Sequence, residues 1–249
     1  MAVEINLENK TALVTGGTRG IGKAIVEELL QSGAKVFATG TNVAQIKELN
    51  ATNKNSQLTY LQLNLSYPDK VKDFIAKTLE LTDVDILINN AGINIVSDAD
   101  KITDESFLQI QEINVHGPFL LAQAFGQQMI KRNWGRIVNI SSIWGVVTRP
   151  GRLSYSASKM ALLGINKTLA VEWARNNVLV NAVSPGFTLT ELTKTTNTEE
   201  ELNIINNKIP QNRLALPEEI AKGVLFLSSN LNSYIVGQNL IIDGGYTAI

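Results

Sequence analysis

Cysteine is absent from the 249 residues, which excludes a disulfide framework, a thiolate metal site and a cysteine nucleophile. Histidine occurs once, at His116, so chemistry that needs two histidines is closed to this chain and no metal site is expected. Neither sign of charge dominates: 22 basic against 23 acidic side chains leave a net charge of −1. That balance offers no general attraction to nucleic acid or to an anionic membrane, and neither is expected as a partner. No apolar run approaches the roughly eighteen residues that a membrane span needs. The opening Met1–Lys10 carries Glu4 and Glu8 and lacks an apolar core, so no signal peptide is expected there. A reducing cytoplasm fits a chain without cysteine. With 44% hydrophobic and 18% charged residues, the composition is that of a globular protein with a large core.

The pattern along the chain alternates short apolar runs with stretches of helical spacing, without repeats or a linker. Thr11–Thr15 reads as a strand ending at Gly16-Gly17, and Gly20–Gln31 places Ile21, Ile25 and Leu29 on one helical face. Further strands are expected at Lys35–Ala38, Leu58–Leu63, Val84–Ile88, Arg136–Ile140, Val178–Val183 and Asn239–Ile242. Helices are expected from Pro68, over Asp104–Lys131, over Ser154–Arg175 and over Pro217–Leu227. Such alternation predicts an α/β fold, a single doubly wound parallel sheet with helices on both faces. Residues 1–249 read as one domain, with an excursion near 188–210 that could act as a lid over substrate.

Thr15-Gly-Gly-Thr-Arg-Gly-Ile-Gly22 joins the first strand to the first helix, where a dinucleotide pyrophosphate docks on a helix N-terminus. Gly16, Gly20 and Gly22 let the backbone turn and let the phosphate approach, while Thr18, Arg19 and Ile21 complete the loop. Taken alone, such a cluster is also compatible with an ordinary tight turn. The end of the second strand, Val36-Phe-Ala-Thr-Gly-Thr-Asn42, lacks the acid that holds the ribose 2′-hydroxyl of NAD. Arg19 could instead pair with a 2′-phosphate and Thr41 could hydrogen-bond it, so NADP(H) is expected in preference to NAD(H). Arg19 could equally be a solvated surface side chain.

Tyr155 and Lys159 share a helix face at i and i+4. An ammonium beside a phenol stabilises the phenolate, so such a tyrosine can exchange a proton with a carbonyl or alcohol oxygen near neutral pH. The spacing alone reads equally well as a surface contact. Ser142 follows the fifth strand, and ligands of open α/β sheets bind at the carboxyl ends of strands. That rim would gather Ser142, Asn89–Gly92, Pro185-Gly186 and the glycine loop into one crevice.

In this order and spacing the segments resemble the short-chain dehydrogenase/reductase family over nearly the whole chain. Thr15–Gly22 is similar to its cofactor motif, Asn89-Asn90-Ala91-Gly92 to its NNAG motif, and Pro185-Gly186 with Thr190 to its PGxxxT segment. Asn114, Ser142, Tyr155 and Lys159 match its catalytic tetrad. The resemblance implies a Rossmann-like fold and a nicotinamide cofactor that supplies the hydride. It makes Tyr155 the general acid/base, and Lys159 the residue that binds the nicotinamide ribose and lowers the tyrosine pKa. Ser142 would stabilise the substrate oxygen, and Asn114 would hold a water that relays protons from Lys159. Asn90, Ala91 and Gly92 would lie along the adenosine and ribose, and Pro185, Gly186, Thr188 and Thr190 at the carboxamide. Asn64, with Leu65 after it, stands where many relatives carry an aspartate against adenine. Its amide oxygen could serve instead, or Asn64 could be a turn residue.

Within the family the chain is most similar to bacterial 3-oxoacyl-[acyl-carrier-protein] reductases, which implies a 3-oxoacyl thioester substrate, a role in fatty acid biosynthesis and a homotetramer. Docking of an acidic carrier protein would fall to Lys131, Arg132, Arg136 and Arg175, but Asn133, Asn176 and Asn177 dilute that patch. The substrate pocket is expected to include Ile93–Val96, Ile143, Trp144, Arg149–Leu153 and Phe187. Trp144 could narrow it or merely pack in its loop, and Arg149 and Arg152 could meet an anionic substrate or nothing. Two other readings remain open: a dehydrogenase of a sugar, polyol or other secondary alcohol, and a catalytically silent NADP-binding module.

Overall fold

The structure, a computed structural model, describes residues 4–191, 193 and 198–248. The expected excursion near 188–210 therefore lies in part outside the described residues. Seven parallel strands form one sheet in the order β3-β2-β1-β4-β5-β6-β7. They are β1 Thr11–Val14, β2 Lys35–Gly40, β3 Leu58–Gln62, β4 Ile86–Asn89, β5 Gly135–Ile140, β6 Val178–Pro185 and β7 Asn239–Ile242. The helices are α1 Gly20–Gln31, α2 Val43–Thr52, α3 Pro68–Leu81, α4 Asp104–Gln111, α5 Gly117–Arg132, α6 Leu153–Trp173, α7 Glu199–Asn206 and α8 Pro217–Ser228.

Both faces of the sheet are covered, which is why β4, β5 and β6 are buried at every residue instead of alternating. Alternate side chains feed two cores. Val14, Ile88, Val138 and Val183 pack with Ile25 and Leu29 of α1 and Ile220 and Val224 of α8. Leu13, Leu87, Ile137 and Val180 pack on the other face with Val71 of α3 and with Leu121, Phe125 and Met129 of α5. β1 pairs with β2 on one side and β4 on the other, so the winding direction reverses between them. A crevice opens at the carboxyl ends of the strands at such a reversal.

Two elements depart from the sequence expectations. α2 carries one buried side chain, Ile46, so its apolar pattern is faint; it is fixed by its cap, where Asn42 Oδ1 accepts the Gln45 N–H at 3.1 Å. The helix expected over Asp104–Lys131 is interrupted by a π-helical turn at Glu112–His116. Pro118, four residues after Asn114, has no N–H, so the Asn114 carbonyl cannot make the ordinary α-helical bond.

Candidate active site

The first turn of α1 points into a cleft of about 720 Å³ at the winding reversal. Arg19, at the helix N-cap, makes no side-chain cap bond, so the first-turn N–H groups are left for another acceptor. Gly16 turns the chain there with φ +66°, and a Cβ on Gly22 would lie 2.1 Å from the Gly16 carbonyl oxygen. The cleft is lined by Gly16, Thr18, Arg19, Gly20, Ile21, Gly22, Thr41, Asn64, Leu65, Asn90, Ala91, Gly92 and Thr190, all expected from the sequence. Glu191 is the one carboxylate among the described lining residues. A long, narrow anion with two ends fits this cradle: unclaimed N–H groups at its middle, and a neutral wall of Thr41, Asn42 and Gln45 at the end of β2. The residues present thus suit a dinucleotide.

Sequence reasoning passed over the threonine that braces this wall. Thr15 Oγ1 accepts the N–H groups of both Asn90 and Ala91 at 3.0 Å, and Asn90 Nδ2 donates to the Thr15 carbonyl at 2.9 Å. Asn90 therefore ties β4 to the glycine loop, and Thr39 Oγ1 accepts the Gly16 N–H at 3.3 Å. A buried threonine flanking a glycine loop was the available signal. Asn64 takes the turn role that the sequence left open, its amide oxygen accepting the Ser66 N–H at 3.0 Å, while the residue also lines the cleft.

The expected tetrad lies where β4, β5 and α6 meet. Ser142 follows β5, and its Oγ accepts the Trp144 N–H at 3.2 Å, which leaves the hydroxyl hydrogen free to donate. Tyr155 stands in the first turn of α6, and the Lys159 Nζ lies 5.6 Å from its ring centroid. That turn is pinned from several sides. Ser141 Oγ donates to the Lys159 carbonyl at 3.2 Å, Ser158 Oγ to the Tyr155 carbonyl at 2.7 Å, and Gln111 Nε2 to the Ser154 carbonyl at 3.1 Å. Asn114 Nδ2 donates to Ser158 Oγ at 3.0 Å and to the Ile93 carbonyl at 2.9 Å, while its Oδ1 accepts the Ile93 N–H. A Cβ on Gly92 would sit 3.1 Å from Asn114 Oδ1 and 3.5 Å from Lys159 Nζ. Thr190 lines the glycine cleft, while Thr188 and Pro185-Gly186 are not among its lining residues; Thr188 Oγ1 donates to the Gly186 carbonyl at 3.2 Å.

Burial raises the Tyr155 phenol above its ordinary value; the Ser142 hydroxyl that hydrogen-bonds it and the Arg152 charge act in the opposite direction. Burial also pulls the Lys159 pKa down, to about 8, and its Nζ donates to the Ile140 carbonyl at 2.8 Å. The expected basic patch is also reduced. Arg132 is bound to Asp83 at 2.8 Å and to the Val84 carbonyl at 2.8 Å. Arg136 is only 3% exposed and donates to the carbonyls of Gly135, Asn177, Ser229 and Asn232. Beyond Ser142, Trp144, Phe187 and Tyr246 meet edge to face, with centroids 5.3–6.2 Å apart.

Comparison with known proteins agrees with this architecture. A family model described as enoyl-(acyl carrier protein) reductase matches residues 16–247. The chain is 41% identical to the 3-oxoacyl-[acyl-carrier-protein] reductase FabG of Aquifex aeolicus (strain VF5), over 98% of this chain and 99% of that one. It is 36% identical to an NAD-dependent glycerol dehydrogenase of Listeria innocua, over 98% of this chain and 96% of the relative. The crystal structure of a gluconate 5-dehydrogenase from Burkholderia cenocepacia, in complex with NADP and tartrate, superposes with a TM-score of 0.90 at 27% identity, covering 98% of this chain and 97% of that one. A full-length match at this identity, on a sheet that carries the glycine cleft and the Ser142–Tyr155–Lys159 cluster, makes the chain a member of the short-chain dehydrogenase/reductase family, an NAD(P)-dependent oxidoreductase acting on CH–OH/C=O carbon.

Proposed function

We propose that the protein reduces the 3-oxo group of an acyl thioester to a secondary alcohol with NADPH. The observation that carries this reading is the pairing of two hydroxyls, Ser142 and Tyr155, beside a buried lysine next to the dinucleotide cleft. Two hydroxyl donors aimed together suit a carbonyl oxygen that gains negative charge and then a proton. Bound NADPH supplies the hydride. Ser142, with its oxygen already accepting from Trp144, donates to the substrate oxygen. Tyr155, kept protonated by its raised pKa, delivers the proton from its hydroxyl. Lys159 holds charge beside the ribose and the phenol. The Asn114 amide clamps Ile93 and Ser158, and its main-chain carbonyl, denied an N–H by Pro118, would hold the relaying water. Gly20, Ile21 and Gly22 present N–H groups to the pyrophosphate, and Ala91 and Gly92 allow close approach of the ribose. Thr188 and Thr190 meet the carboxamide. Arg19, exposed and without an ion pair among the described residues, together with Thr41, takes the 2′-phosphate and sets the preference for NADPH.

The substrate is carried on a small thioester or on a carrier protein that would find only Lys131 and Arg175 exposed in the expected patch. A homotetramer is supported by exposed apolar side chains, Val171 at 82% on α6 and Tyr234 at 95% before β7. Light scattering that gave a monomer would refute it. Among the described residues no helix is long and apolar enough to cross a membrane.

Mass spectrometry of products tests the reaction. Incubation with NADPH and acetoacetyl thioester should yield the 3-hydroxybutyryl thioester, and crotonyl thioester should remain unsaturated. Saturation of the crotonyl group without reduction of the ketone would overturn the reading.

A further inference from the structure

Arg149 and Arg152 lie on the segment that links Ser142 to Tyr155. Arg152 immediately precedes α6, three residues before Tyr155, and its charge acts on the phenol. Arg149 lies over Trp144, with its Cζ 5.3 Å from the ring centroid. Trp144 in turn meets Phe187 at 6.0 Å and Tyr246 at 6.2 Å. The two guanidinium groups are close enough to repel, and burial disfavours the Arg152 charge further. A surface arginine avoids such cost by turning into water. Arg152 does not: it is half-buried, and its Nε has neither solvent nor a hydrogen-bond partner. Among the described residues neither arginine forms an ion pair with a carboxylate. The other partly buried arginine near the sheet, Arg132, shows the usual solution, with Asp83 and Asp85 against it. Two cations beside the reacting hydroxyl, one of them exposed over Trp144 and neither with a carboxylate against it among the described residues, are the feature that an arriving anion would relieve.

We infer that Arg149 and Arg152 bind a carboxylate carried by the carbonyl substrate, over an apolar floor of Trp144, Phe187 and Tyr246, so that an anionic oxo compound is preferred to a neutral one of the same size. The Arg152 Nε is closed to approach, so a carboxylate would meet the guanidinium at its two terminal nitrogens, whose fork matches two carboxylate oxygens. Trp144 beneath Arg149 steadies the second guanidinium by cation–π contact. The inference rests on the carbonyl-reductase reading of the site and is indifferent to the thioester.

Calorimetric titration of the NADP⁺-loaded protein with 4-oxopentanoate and with its methyl ester tests it, because the two probes differ in charge and little else. The acid should bind at least tenfold more tightly than the ester. That advantage should vanish in R149Q/R152Q, shrink in R149Q alone, where the changed side chain is exposed, and return in part in R152K. Equal affinity for the two probes, binding of neither, or an advantage that survives in the double variant would overturn the inference. NADPH consumption with a neutral 3-oxoacyl thioester, measured on the same wild-type preparation, judges the reductase reading separately. Turnover there with no gain for the acid removes the arginines and leaves the reaction in place.

Discussion

The two ends of the parallel sheet treat their cations differently. At the amino end every one of three cations near β1, β4 and β5 has an internal partner. Arg132 holds Asp83 and Asp85, Arg136 donates to four carbonyls, and Lys10 lies 3.8 Å from the Trp134 ring centroid. At the carboxyl end, Arg19, Arg149, Arg152 and Lys159 have no carboxylate against them among the described residues. At the amino end carboxylates, carbonyls and a ring take up the three cations; at the carboxyl end Lys159 donates to the Ile140 carbonyl and Arg149 lies over Trp144, but no carboxylate neutralises any of the four among the described residues. Basic residues near one another in sequence therefore say little about docking until their donors are traced.

The sharpest division between the ends comes from Tyr155→Phe. Loss of the transferable proton should cut turnover roughly 10²- to 10⁴-fold, with NADPH affinity measured by fluorescence unchanged. Retained turnover would remove Tyr155 from its role. At the amino end, Arg136→Met should strip four buried carbonyls of their donor and cost about 3 kcal/mol of stability, read as a fall in denaturation midpoint, while kcat of the folded protein holds. A catalytic defect without a stability loss would break the comparison. Arg19→Ala should do the reverse: unchanged stability, and NADPH binding weakened by about 1.5–3 kcal/mol, with NADH binding unaltered. Equal losses for both cofactors would refute the 2′-phosphate contact.

The smallest effect is in pH. Lys159 is held near a pKa of about 8 in the folded protein, below the ~10.4 of a free lysine. Between those values the unfolded chain keeps a proton that the folded chain has released, so stability gains as pH rises through that window. Lys159→Met should lose that gain in thermal denaturation followed from pH 7 to pH 10. An identical pH profile in the variant would place the titration elsewhere.

Much of the architecture is legible in the sequence because it is carried by strong local signals. Short apolar runs, Ile86–Ile88, Ile137-Val138 and Val178–Val180, mark β4, β5 and β6, Gly16, Gly20 and Gly22 mark the loop, and Pro68 and Pro217 open their helices. What escaped depends on partners remote in sequence. α2 has a single buried side chain and is defined by the Asn42 cap. The π turn at Asn114 needs both Pro118 and the Ile93 backbone, 21 residues away in the chain. Arg136 looks like any surface arginine until β5 carries it under Ser229 and Asn232. Helical spacing places Tyr155 and Lys159 on one face but says nothing of how deeply they are buried. Burial dominates both groups here.

The most direct measurement is the initial rate of NADPH oxidation by the purified protein with a short 3-oxoacyl thioester, repeated with NADH. Rapid turnover with a clear preference for NADPH is the expected result. Turnover that favours NADH, or none with either cofactor while NADPH still binds, would contradict the proposed reaction.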